Sequence, residues 1–251
     1  MERAKHIIGL AVFIFTLFIN ISLTNAQTSC HSKLYDAYVH GKMDKWYTNM
    51  KAFELTLKTD KEKHNLQLLN YYYGYAGWLV SEDNDDAEDY IDISIEILNK
   101  ILSKEPNNAT AHALMGAFIA FEFGLNPLKI IYLGRTSMEH IDKALEINPN
   151  NIQGLIEKGN ALFYMPATFG GDKQKAINLY KKAISNIENQ NLVNENWLYL
   201  NLLTTLSLAY EEIGDLQAAK LNYEKILKIE PEYMWVKDEL YVYLMEKLKL
   251  N

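Results

Sequence analysis

The chain has 251 residues, 49% of them apolar, with a formal net charge of −7 and one cysteine. That size suits one large packed domain or two small ones. The acidic balance argues against nucleic acid as the main partner, and a single cysteine excludes an internal disulfide framework.

Residues 1–26 read as a targeting segment. Arg3 and Lys5 give a positive start, Ile7 to Ile19 an uncharged apolar core, and Ala26 a small residue before Gln27. The apolar run is short for a membrane span, which needs roughly 20 residues, and Asn20 interrupts any extension. A cleaved signal peptide over 1–26 is expected, with 27–251 as one helical domain in the periplasm or secreted; an uncleaved anchor is the alternative. A lipidated bacterial cysteine has an apolar residue three places earlier. Cys30 has Gln27 there, so it reads as a free thiol, with a lipid anchor as the other reading.

Five prolines and twelve glycines leave room for long helices, and no run alternates as a strand would. The fold class is therefore all-α, built from helix pairs. The first pair covers Leu34 to Lys58 and breaks at Gly41, with Trp46, Met50 and Phe53 at helical spacing after it. The second runs from Gln67 to Pro106. Its acidic joint, SEDNDDAED, has Ala87 and Glu88 where a calcium loop needs oxygen ligands and glycine, so it reads as an acidic helix start. The third spans Ala109 to Pro149 with an insertion around Phe123 to Pro127. The sequon at Asn108 is taken as chance, because the signal and the Asn/Lys/Ile-rich usage suggest a bacterium. The fourth spans Ile152 to Ile187 and carries an insertion in YMPATFGGDKQKA. The fifth is Leu203 to Pro231, joined at Gly214-Asp215, and a last helix over Glu232 to Leu248 covers it with Met234, Leu240 and Leu244.

The fifth pair carries Leu203, Leu206, Ser207, Tyr210, Ala219, Tyr223, Ile226 and Pro231 at spaced positions. This pattern resembles the tetratricopeptide repeat, a helix-turn-helix unit that stacks into a solenoid. Only Ile226 departs clearly, standing where the family has Ala. The resemblance implies about five stacked pairs and a C-terminal capping helix. The Gly170-Gly171-Asp172 step also resembles a loop of exported bacterial tetratricopeptide proteins, among them the T components of TRAP transporters.

The resemblance further implies a concave groove lined by the first helix of each pair. Its registers give Tyr71, Tyr75 and Trp78, then Ala113, Ala117 and Phe121, then Ile156, Asn160, Phe163 and Tyr164, then Thr204, Leu208 and Glu211. Each aromatic among them is as readily a core residue. The carboxylate grip of co-chaperones is not expected, because Ile156 stands where lysine is wanted. Gly170, Gly171 and Asp172 read first as a tight loop with a helix cap, and second as a fold over a ligand pocket. No metal, cofactor or catalytic motif occurs: no HExxH, no CxxC and no phosphate loop. His112 reads as a packed histidine. A protein or peptide partner in the cell envelope is expected, with a small apolar ligand of a transport system as the alternative; no enzyme activity is.

Overall fold

The computed structural model describes residues 30–57 and 63–250; the expected signal segment 1–26 lies outside the described residues. Eleven α-helices occur among them. They are α1 over 30–39, α2 Met43–Thr56, α3 Lys63–Ser81, α4 Ala87–Lys104, α5 Ala109–Leu125, α6 Ile130–Ile147, α7 Ile152–Tyr164, α8 Lys173–Asn189, α9 Trp197–Glu212, α10 Leu216–Ile229 and α11 Tyr241–Leu250. Consecutive helices pair as the apolar spacing requires, giving five pairs and a capping helix. The first helices of the middle pairs, α3, α5 and α7, pack side by side in an inner row.

Local chemistry sets the boundaries. Asn108, Asn151, Asp172, Asn196 and Asp215 each accept a bond from the backbone N–H three residues on, at 2.8 to 3.1 Å. Such caps satisfy donors that a helix start leaves open and contribute about 1 kcal/mol each. Close packing within pairs needs the small residues. A Cβ on Gly159 would lie 2.5 Å from the Tyr180 ring, which is fully buried. In the fifth pair Leu203, Ser207, Ala219, Tyr223 and Ile226 are all fully buried, so the bulk of Ile226 is absorbed. Asn222 Nδ2 ties the pair together by donating to Leu203 O at 2.6 Å and Ser207 Oγ at 2.8 Å.

The capping segment differs from the expected register. A π-helical turn over Trp235–Leu240 precedes α11. Its wider turn breaks the α-helical period. Met234, at the N-cap of this turn, is exposed, while Tyr233, Val236 and Leu244 make the buried contact.

The array also closes on itself. Tyr35 Oη in α1 donates to Glu230 at 2.9 Å, and Tyr38 Oη accepts from Asn201 Nδ2 at 3.1 Å and from Tyr233 Oη at 2.8 Å. The Trp197 ring of α9 lies 5.2 Å from Trp46 and 5.6 Å from Tyr38, and its Nε1 donates to Asn70 Oδ1 at 2.9 Å. The first pair is thereby joined to the last. Rings from five helices fill the centre, where edge-to-face contacts add to the burial.

Candidate interaction surface

The central cluster settles where Tyr71 goes. Tyr71 is 1% exposed, stands edge-on to Trp46 and Phe53, and its hydroxyl meets His31 Nδ1 and Gln67 Nε2, each at 2.9 Å. It is a core residue rather than a groove residue, because α1 and α2 pack over the face of α3 that an open groove would have left bare. Ala113, Ala117, Ile156 and Thr204 are buried likewise.

Asn160 is part of an internal polar network. Its Oδ1 accepts from Tyr180 Oη at 2.9 Å, and its Nδ2 donates to Glu157 at 3.2 Å. Glu157 is 5% exposed and also accepts from Gln153 Nε2 at 2.6 Å and from Tyr73. Burial pushes its carboxyl up to about 7, against the lowering effect of those three donors. Sequence reasoning missed Glu157 and Tyr73, since a lone Glu within an amphipathic helix looks like a solvated face residue.

The other expected residues fall into two groups near the C-terminal ends of the inner helices. Tyr75 and Trp78 are half-buried and 5.6 Å apart, with Tyr75 also against Tyr47 and Tyr90. Phe121 stacks on Tyr73 at 5.3 Å and touches Gly77. Phe163 and Tyr164 meet edge-on at 5.1 Å, and Lys173 Nζ lies 5.4 Å over the Phe163 ring. Phe163, Tyr164, Met165, Pro166, Gly171 and Lys173 line an open cavity of about 500 Å³. Its mouth is held by Lys173, which donates to Glu212 at 2.7 Å and keeps that carboxyl below its usual range.

The loop beside this cavity has a definite geometry. Gly170 adopts φ +95°. A Cβ on Gly171 would stand 1.7 Å from Met165 O. Gly171 N–H donates to Pro166 O at 3.1 Å and Asp172 N–H to Leu162 O at 2.9 Å. Asp172 caps α8, and the Lys175 N–H holds its carboxyl below the usual range. The three residues thus build the loop, and Gly171 also forms a wall of the cavity.

Residues that the groove argument overlooked crowd the same edge. Ile131 is 80% exposed, Phe169 78% and Tyr164 76%, with Leu128, Ile130 and Tyr132 exposed beside them. Leu128 to Tyr132 follow the α5–α6 insertion, and Phe169 sits in the α7–α8 insertion. Lys129, bonded to Glu122 and 3.8 Å from Glu88, fixes the first insertion against the α3–α4 joint. The apolar run Leu128, Ile130, Ile131, Tyr132 right after a proline was the available signal. Among the described residues no group of three or more His, Cys, Asp or Glu could hold a metal ion, and no helix is long and apolar enough to cross a membrane.

The tetratricopeptide repeat family model matches residues 200–233, the fifth helix pair. Among solved structures the chain is similar to TTC0263, a thermophilic tetratricopeptide protein in Thermus thermophilus, at 14% identity and a TM-score of 0.55 over 81% of this chain and 92% of that one. It is also similar to the HusA haemophore from Porphyromonas gingivalis, at 19% identity and a TM-score of 0.57 over 74% of this chain and 93% of that one. A comparison with curated protein sequences finds no match. The fifth helix pair carries the tetratricopeptide sequence pattern, and the described stack has the fold of a tetratricopeptide solenoid.

Proposed function

We propose that this protein is an exported interaction scaffold that docks a partner protein on its apolar edge. The carrying observation is the set of exposed Leu128, Ile131, Tyr132, Tyr164 and Phe169 in and beside two insertions at the same ends of neighbouring pairs. Contiguous exposed apolar side chains of this kind mark association surfaces, because leaving them in water is unfavourable. Phe163 packs edge-on against Tyr164 at this edge. The filled centre directs the partner to the edge instead of the trough. Export rests on Arg3, Lys5, the Ile7–Ile19 core and Ala26.

The test is quantitative co-purification from an envelope fraction with wild type and with the double variant Ile131→Asp, Phe169→Asp. Both positions are exposed, so melting should be unchanged while a bound partner is lost. Undiminished recovery by a folded variant would refute the edge. The mass of the exported chain should correspond to a start at Gln27.

A second reading is carriage of a small apolar ligand in the Phe163–Lys173 cavity. The aromatic lining, the single cation at its mouth and the shared fold with a haemophore favour it. Titration with haemin, followed by absorbance, separates the two: saturable binding lost in Phe163→Ala supports carriage, and none excludes it for that ligand.

A further inference from the structure

The opposite edge of the array carries a second cleft with different chemistry. It has a volume of about 560 Å³ and is bounded by the α6–α7 connection, the α8–α9 connection, the start of α5, Asn70 of α3 and His31 of α1. Sixteen residues line it. Nine are Asn or Gln, and none is Asp, Glu, Lys or Arg. In a chain that is 23% charged, a surface cleft without a formal charge is unusual.

Part of this amide content belongs to the fold. Asn151 and Asn196 cap α7 and α9, and Gln153 donates to Glu157. At each of those two helix starts the cap bonds one backbone N–H. The remainder points into use. Asn70 and Asn148 are each bonded through the amide oxygen, to Trp197 Nε1 at 2.9 Å and to Asn150 N–H at 3.0 Å. That fixes the orientation of both amides and leaves both NH₂ groups as oriented donors. Asn150 and Asn194 are exposed and make no side-chain hydrogen bond among the described residues. Leu192, exposed, and Ile152, half-buried, add apolar surface among the amides.

The geometry points to a binding site for a neutral carbohydrate. An ion would find no counter-charge to offset its desolvation. Amides both donate and accept, which matches hydroxyl groups that do the same. The apolar faces of a sugar ring suit the Ile152 and Leu192 surface. The amides come from separate segments around the cleft and not from one helix face at a repeat period, so they surround a compact ring better than they track an extended chain. The site lies at the other end of the helix pairs from the apolar edge and does not depend on a partner there.

The test is NMR titration of the side-chain amide and Trp197 indole signals with maltose, cellobiose, lactose and chitobiose. Glucuronate serves as charged control and a Gly-Ser peptide as extended control. At least one neutral disaccharide should shift these signals saturably, and the double variant Asn150→Ala, Asn194→Ala should weaken it at least tenfold with an unchanged melting temperature. Since neither side chain is bonded in the fold, the variant separates binding from folding. No shift with any neutral sugar, equal binding of glucuronate, binding of the peptide alone, or full binding by the double variant would each overturn the assignment.

Discussion

Glu157 sits where three inner-facing side chains converge, and its replacement by Gln tests whether the centre of the array is closed. The folded carboxyl titrates at about 7 against an ordinary 4.5, chiefly because burial disfavours the charge. A raised acid means that the folded state holds a proton the unfolded chain has released. Its stabilisation is complete below about pH 4.5, declines as pH rises through about 7, and is gone above that. At 1.36 kcal/mol per unit the loss is about 3 kcal/mol. Glu157→Gln removes this titration. Its oxygen can still accept from Gln153 and Tyr73, but its NH₂ faces the Asn160 Nδ2, whose Oδ1 is occupied by Tyr180. That unpaired donor costs about 1–3 kcal/mol at any pH. Urea unfolding should therefore show the variant less stable than wild type at about pH 5, and equal or more stable at about pH 8. The difference between the two should swing by about 2.5 kcal/mol from about pH 5 to about pH 8. Parallel stability curves, with a swing under about 1 kcal/mol, would show that water reaches Glu157 and that the centre is open.

Two further substitutions probe the loop and the closure. Gly171→Ala must displace the Met165 carbonyl, breaking the Gly171–Pro166 and Asp172–Leu162 bonds, at about 0.5–1.5 kcal/mol each. Gly170→Ala meets no atom and costs only about 1 kcal/mol for its positive φ. Gly171→Ala should thus melt lower than Gly170→Ala and speed amide exchange at Asp172; the reverse order with Asp172 still protected would refute the loop argument. Tyr38→Phe leaves the Asn201 and Tyr233 donors unpaired and should cost about 1–3 kcal/mol in chemical denaturation, with α1 gaining exchange first. Unchanged stability would mean that α1 is not joined to the last pair.

What was legible in the sequence was local. Leu203 to Ile226 announced a helix pair because buried positions recur at three and four, and Gly41, Gly214 and Asp172 marked joints through backbone and capping chemistry. The closure was not legible, since it depends on how far each pair rotates on the last, a quantity summed over the whole stack. For that reason Tyr71 reads as groove from its own register but lies in the core once α1 and α2 arrive, with Trp46 and Phe53 edge-on against it. Met234 failed for a smaller reason: it stands at the N-cap of a π turn, which breaks the α period between it and Leu244. Glu157 failed because a carboxylate among apolar neighbours carries no periodic signal, and only the convergence of Tyr73, Gln153 and Asn160 explains it.

Closure also changes what a repeat array of this kind can do. An open solenoid presents its inner helices along a trough, and specificity lies on those helices. Here the inner faces are occupied by one another's side chains, with Trp197, Trp46, Tyr38 and Tyr71 in ring contact. The surfaces left are the two ends of the helix pairs, where connections can vary without disturbing the packed centre. The two ends differ in chemistry: insertions with exposed apolar side chains at one, uncharged amides at the other. The two are nonetheless joined through the core. Gly171 in the apolar edge follows α7, whose Glu157 is bonded to Gln153 in the wall of the amide cleft. A rigid, water-poor centre holds both ends in fixed register, so each can be altered by substitution while the other keeps its shape.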